Sequence, residues 1–299
     1  MRLPGMRAGK KSKLKRSLSG SLALVLPSLF IFLLFELVPV IYSFYLSFTD
    51  WTLGRTAHQV VGLGNFKALG QDLELRQAVL RTGKYSLFTA FFSALGGIVL
   101  ALLLRGGRRE RPLSKTVLLI PSIVPFVVIA SLWTWIYDPY YGIANWLLAR
   151  AGVAGPAWLT SPRWALTALI IMAVWREMGY NALILLAGLG AISGEVLESS
   201  LIDGCTKFQS WIYIVLPLLK NSLFFVLAIQ IIRGFEVFGP IYTMTGGGPA
   251  KATTTMVYYM YQKAFQSYQV GYGAAVSWVI VLITFFFFFM IWKGFRGVE

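Results

Sequence analysis

The sequence predicts an all-α integral membrane protein with six transmembrane helices. Three observations carry that expectation. Hydrophobic residues fill 57% of the 299 positions and charged residues only 13%, with a mean hydropathy of +0.68, a balance foreign to ordinary soluble domains. The apolar positions gather into six runs that each approach the roughly 20 residues needed to cross a hydrocarbon core about 30 Å thick. Basic residues concentrate in alternate connecting segments, as the bias that orients membrane proteins requires.

The elements follow in order. A basic arm, 1–20, carries Arg2, Arg7, Lys10, Lys11, Lys13, Lys15 and Arg16 and is assigned to the cytoplasm. The first span, 22–45, is no secretory signal: it is longer than such apolar cores, contains Glu36 and Pro39, and precedes no small-residue cleavage pattern. The second span, 85–104, leads into a further basic cluster, Arg105, Arg108, Arg109, Arg111 and Lys115. The third, 117–137, is expected to kink at Pro121 and Pro125, which membrane helices tolerate where neighbours satisfy the freed backbone groups. The fourth covers 164–189, and the fifth, 222–244, is expected to kink at Gly239-Pro240. The sixth, 276–292, can begin within the small, uncharged segment 271–275, and its Phe285–Phe289 run is lipid-facing bulk. These spans form one transmembrane domain, 21–295, followed by a short cytoplasmic tail, 296–299.

With both termini inside, cytoplasmic segments hold 16 basic residues against nine outside, Arg176 and Arg233 lying within helices. The loop 190–221 then faces the cytoplasm. The net charge of +15 follows from this orientation and from attraction to anionic lipid; no nucleic-acid motif accompanies it, so nucleic acid is not an expected partner. The lone Cys205 excludes an internal disulfide and a cysteine-based metal site, and the lone His58 is expected to be a solvated loop residue, so no metal site is expected.

The chain is not expected to hydrolyse ATP. A phosphate-binding loop needs glycine amides around the phosphates and a Gly-Lys-Ser/Thr end. The stretch Thr245-Gly-Gly-Gly-Pro-Ala-Lys-Ala-Thr253 lacks that end, and Pro249 removes an amide donor. Energy for any transport must come from another subunit or an ion gradient.

The polar loop is the most informative segment. Residues 194–203 have helical composition with Val196, Leu197, Leu201 and Ile202 as expected apolar anchors. Gly204 permits a left-handed turn, residues 207–215 suit a second helix, and Pro217 is expected to help end it. Glu198, Asp203, Gly204, Leu216 and Pro217 fall in register with the EAA loop that this segment resembles, the ATPase-coupling loop of bacterial ABC importer permeases. Ser199 and Ser200 stand where that pattern has two alanines and keep the small size. A second set of residues resembles the MalF-type subunits of carbohydrate ABC importers: Thr245–Thr253 with Ile241, Tyr242, Tyr261, Ala264, Phe265 and 272–275, together with Pro39, 47–50, 62–66 and 186–189. The resemblance covers about residues 20 to 295. Gly239-Pro240 departs from it, since many relatives have an aspartate there.

The resemblance implies a MetI-like permease core, with the first helix wrapping a partner, in a bacterial or archaeal inner membrane. It implies a second, MalG-like permease, two ATPase subunits that bind the ATP and Mg, an extracytoplasmic solute-binding protein, and a sugar, oligosaccharide or polyol as cargo; no cofactor is expected in this chain. The rival is a self-contained carrier driven by protons or sodium. The six-span length, the lack of an obvious inverted repeat and the EAA-like loop stand against it.

Arg176 and Glu177 fall near the middle of the fourth span, Arg233 and Glu236 near the middle of the fifth. Each such charge costs about 2.5–3.5 kcal/mol at the bilayer centre unless paired or wet. Arg233 and Glu236, at i, i+3, are expected to share a face, as are Glu177 and Asn181 at i, i+4. Two readings stand: an ion-pair network between spans four and five, or a translocation cavity in which these groups bond sugar hydroxyls while Tyr180, Phe235 or Tyr242 stack on sugar faces.

Overall fold

The computed structural model describes residues 25–55, 57–105 and 112–296; the basic arm 1–20, the arginines at 108, 109 and 111, and residues 297–299 lie outside the described residues. Every named element among the described residues is helical, with a single bridge between Thr49 and Val60. Four unbroken helices are long and apolar enough to cross a membrane, α1 (Val25–Leu46), α3 (Leu73–Leu104), α7 (Ala165–Gly190) and α13 (Val270–Phe295 by this measure). Two bent pairs bring the number to six where each pair is one crossing. α4 (Pro112–Ile123) meets α5 (Phe126–Ile136), and α9 (Lys207–Leu218) meets α10 (Lys220–Phe235), at 96° and 66°. Shorter helices fill the connections: α2 (Gly64–Gln71), α6 (Ile143–Arg150), α8 (Gly194–Ile202), α11 (Gly239–Met244) and α12 (Met256–Tyr261).

Four departures from the sequence reading have physical causes. The third span is broken rather than kinked, because Pro125 lacks an amide donor and forces the preceding Val124 out of helical geometry. The fifth helix stops at Phe235, and Pro240 lies in the first turn of the separate α11, where a missing N–H costs nothing. Pro217 does not terminate α9: a wide π-turn, Trp211–Val215, precedes it and takes the backbone off the ordinary ladder where proline cannot donate. α3 begins well before its apolar run. Asp72 caps it, accepting from the amides of Glu74 (2.9 Å) and Leu75 (3.1 Å), so Arg76, Arg81 and Lys84 are helical rather than in a loop. Its 32 residues reach about 48 Å, beyond the hydrocarbon core. α13, in contrast, starts at Val270, next to the small segment expected to lead it in.

α3 and α7 form the central pair, crossed by α10. Lipid gives no hydrophobic drive for helices to pack, so close van der Waals approach through small residues must supply it. At Gly179 of α7 a Cβ would come within 2.0 Å of the Leu118 carbonyl oxygen of α4, and at Gly234 of α10 within 2.7 Å of Ser86 Cα of α3. α1 is different, for none of its apolar window is buried. Only its end is held. Phe44 packs edge-on to Trp278 at 4.8 Å, and Asn65 donates its amide to the carbonyls of Ser47 (2.9 Å) and Thr49 (2.8 Å).

At the same end the Thr245–Thr253 stretch closes on itself. Thr253 Oγ1 bonds Thr245 Oγ1 at 2.7 Å and donates to the Gly248 carbonyl at 2.8 Å, while Thr254 Oγ1 donates to the Gly247 carbonyl at 3.1 Å. Gly247 has φ +81°, and a Cβ there would strike the Tyr258 ring at 2.6 Å. The motif is a folded strut. Lys251 ties it to Glu74 of α3 through an ion pair.

Candidate functional site

The mid-membrane charges converge in an ion-pair network between spans four and five, as the first of the two readings had it. Glu177 of α7 is buried, 4% exposed. Its Oε1 accepts from Arg176, and its Oε2 accepts from Arg233 of α10 at 2.6 Å and from Gln230 Nε2 at 3.2 Å. Gln230 also donates to Asn181 Oδ1 (2.9 Å), and Asn181 Nδ2 donates to Ser93 Oγ of α3 (3.0 Å). The network therefore joins α3, α7 and α10. It reaches α4 through Arg176, which donates to the Ser122 carbonyl at 3.0 Å and sits 4.3 Å over the Phe126 ring of α5. Arg233 lies 4.9 Å over Tyr180.

Arg233 and Glu236 do not share a helix face as expected. α10 ends at Phe235, so Glu236 is its C-cap rather than the next residue along one face, and the i, i+3 argument loses its helix. Glu236 is exposed and makes no ion pair among the described residues. It still borders, with Arg176, Glu177, Tyr180 and Arg233, a cavity of about 550 Å³ between α3, α4, α7 and α10. Two positive and two negative side chains line it, and the balance is zero. Arg176 Nε and Thr89 Oγ1, both at this wall, are buried without a hydrogen-bond partner, which leaves donors facing a polar space. Two aromatic candidates are elsewhere. Phe235 is 1% exposed and packs on Phe287 of α13 at 5.2 Å, because it falls on the face of α10 opposite the opening. Tyr242 stacks on Phe238 at 5.4 Å in α11, outside this lining. Gln230, Thr89 and Ser122 were missed by sequence reasoning; a glutamine inside an apolar run was the available signal for the first.

The second site is the α8–α9 helix pair. Gly204 turns the chain with φ +86°, and Thr206 and Gln209 form a reciprocal cap at the start of α9. Glu198, Ser199 and Asp203 are exposed around this turn, whereas Ser200 is buried and bonds Ser210 Oγ at 2.9 Å and the Leu197 carbonyl at 2.7 Å. The small residue at 200 thus locks α8 against α9. Leu197 packs into the core beside Leu189 and Val215. Val196 and Ile202, expected as anchors, are 43% and 85% exposed, since one turn of α8 can press only one face inward; the side chain of residue 201 lies outside the described residues. Phe208 and Tyr213 are each 74% exposed, so the pair presents an apolar surface with a carboxylate rim. Leu216 and Pro217 line a groove between α9, α10 and α13.

Outside the spans, Asp72 gathers three elements. Burial alone would raise its carboxyl, but hydroxyl donation from Tyr259 and Tyr272 and the two cap amides outweigh burial and hold it below the ordinary carboxylate range. Lys263 Nζ lies 5.2 Å over Tyr259 and 5.9 Å over Tyr272.

Residues 93–295 match the model of the binding-protein-dependent transport system inner membrane component family. The chain is 34% identical over 276 residues to the trehalose/maltose transport system permease protein MalF of Thermococcus litoralis, with 92% of each chain covered. It is 30% identical over 281 residues to the probable ABC transporter permease protein YurN of Bacillus subtilis, covering 91% of this chain and 96% of that one. Its fold matches a crystal structure of a bacterial ABC transporter involved in the import of the acidic polysaccharide alginate, with a TM-score of 0.81 at 23% identity over 96% and 98% of the two chains. Four long apolar helices and two bent pairs, a polar cavity between them and an exposed helix pair are thus arranged on a known frame, and the chain belongs to the binding-protein-dependent transport system inner membrane component family, the membrane-spanning permease subunits of ABC importers.

Proposed function

We propose that this permease forms half of the translocation path for a sugar, oligosaccharide or polyol. The observation that carries the reading is the charge-balanced cavity around Glu177. Its guanidinium and carboxylate groups offer donors and acceptors without a net field, and Tyr180 and Phe238 supply aromatic faces, the chemistry that polyhydroxylated solutes need. The trehalose/maltose MalF relative supports it, as does the alginate transporter crystallised with an alginate pentasaccharide-bound periplasmic protein. A MalG-like second permease supplies the other half of the path, and two ATPase subunits dock on the α8–α9 pair. Both termini face the cytoplasm, and the Thr245–Thr253 end faces the solute-binding protein. ATP-driven closure of the ATPases moves α8–α9, and the cavity alternates between the two sides. In this arrangement Glu198, Ser199, Asp203 and Gly204 contact the ATPase, while Ser200, Leu216 and Pro217 shape the surface that does so. Arg233, Glu236 and Tyr180 meet the solute; Arg176, Glu177 and Asn181 hold them in place.

The test is reconstitution with an ATPase, a second permease and a solute-binding protein of the same organism, followed by uptake of labelled maltose, trehalose and glycerol derivatives. Uptake is expected to require ATP inside the vesicles and to persist after ion gradients are collapsed. Uptake by this chain alone, abolished by an ionophore, would establish an ion-coupled carrier instead.

A further inference from the structure

A larger cavity, about 1060 Å³, opens between α3 and α7 on the other side of the central pair. Its floor is apolar, built from Phe88, Phe92, Ile170 and Met178, while its mouth carries Arg81, Lys84 and Arg163 and its lining contains no carboxylate. The depths match a bilayer. Lys84 immediately precedes the apolar run of α3, and Arg163 lies one residue before the first turn of α7, next to its N-cap Trp164, so the cations lie at headgroup level. Phe92 is about 12 Å below Lys84 along the helix, most of one leaflet's half of the roughly 30 Å core. Among the described residues none of the three cations makes an ion pair. Arg81 donates to the neutral Gln77 Oε1 at 3.0 Å, and Glu74, whose charge acts on Arg81, is already paired with Lys251. The Trp133 Nε1 donor at the cavity wall is buried and lacks an acceptor.

We infer that this groove holds an anionic phospholipid of the leaflet at the α2 end, its phosphate held by Arg81, Lys84 and Arg163 and an acyl chain along Phe88, Phe92 and Ile170. A soluble anion would leave the apolar floor empty. An apolar helix of another subunit would fill the floor but bring no counter-charge to the cations at the mouth, of which Lys84 and Arg163 are exposed. Anionic headgroups in basic pockets between membrane helices satisfy both halves of the site. The site is separate from the cavity around Glu177 and does not rest on the identity of the transported solute.

The experiment is native mass spectrometry of the permease, purified with the subunits that accompany it, after equilibration with equal amounts of phosphatidylglycerol and phosphatidylcholine. Phosphatidylglycerol is expected to be retained preferentially. Each cation is worth about fivefold, so the triple variant Arg81→Gln, Lys84→Gln, Arg163→Gln should bind it about a hundredfold more weakly and leave phosphatidylcholine unchanged. Should that variant fail to fold, Arg163→Gln alone, in the turn before α7, should still lose about fivefold. Lys67→Gln, on the exposed face of α2, should lose nothing. A photo-reactive residue in place of Ile171 should label lipid. Equal retention of the two lipids by the unaltered protein, an equal loss in Lys67→Gln, or labelling of another protein subunit from position 171 would each overturn the inference.

Discussion

Glu177 is the side chain on which the membrane interior depends most, and the cost of removing it can be worked from its partners. It accepts from two guanidiniums and one amide. Hydrogen bonds to charged groups contribute about 1.5–3 kcal/mol each and neutral ones about 1. Arg176 is 13% exposed at its side chain and keeps the upper part of that range, whereas Arg233 is 44% exposed and is discounted to about 1 kcal/mol, because water in the cavity screens it. Glu177→Ala should therefore cost about 4 kcal/mol, within the usual penalty for leaving buried charge unpaired. Glu177→Gln keeps the shape and one acceptor but turns an NH₂ toward cationic donors, and should cost about 2–3 kcal/mol. At about 2–4 °C per kcal/mol for a chain of this size, the midpoint of thermal unfolding in nanodiscs should fall about 8–15 °C for the alanine variant and about half as far for glutamine. Glu236→Gln, which breaks no ion pair, should shift it by less than about 2 °C. Equal shifts at 177 and 236, or none at 177, would refute the network as the source of stability.

Other variants test the remaining geometry. Gly179→Ala should lower the unfolding midpoint by several degrees, about 1–3 kcal/mol of overpacking against the Leu118 carbonyl, while Gly190→Ala, with open space around it, should cost nothing measurable in the same melt. Glu198→Lys should leave unfolding unchanged but reduce co-purified ATPase at least tenfold, read by quantitative blotting; Gly204→Val, forced to hold φ +86° at about 1–2 kcal/mol, should reduce it likewise through the turn while lowering the unfolding midpoint by a few degrees. Asp72 has a depressed folded-state value, so its contribution is fully present above its unfolded value of 3.8 and is lost as pH falls through the lower folded value. The stability difference between the unaltered protein and Asp72→Asn should accordingly be constant at neutral pH and shrink below about pH 4 in acid titrations followed by tryptophan fluorescence.

Hydropathy made the number of crossings and the limits of α7 legible, because burial in lipid acts on every residue of a span. The α8–Gly204–α9 turn was equally legible, since it is coded locally by a glycine and a cap. Helix breaks were harder to place. Pro121 stays inside α4 while Pro125 separates two helices and Pro240 begins one, and only the neighbouring elements decide among these outcomes. A network between spans four and five was legible, but the partner of Arg233 within it was not, for a similar reason. The i, i+3 rule sees one helix, whereas Arg233 reaches across to α7, and the end of α10 at Phe235 removes the local alternative. The Asp72 cap went unnoticed in sequence because Glu74, Arg76, Arg81 and Lys84 interrupt the first three turns of the helix it starts and keep them out of the apolar run.

α1 draws no packing energy from the rest of its own chain beyond its last turn, and this has a thermodynamic corollary. Lipid tails solvate its side chains as well as a neighbouring helix would, so the isolated subunit should melt at the same temperature with or without residues 25–43. Any contact that α1 makes with another polypeptide is then wholly an association energy. Dilution in the bilayer, rather than heat, is the variable that should detach it.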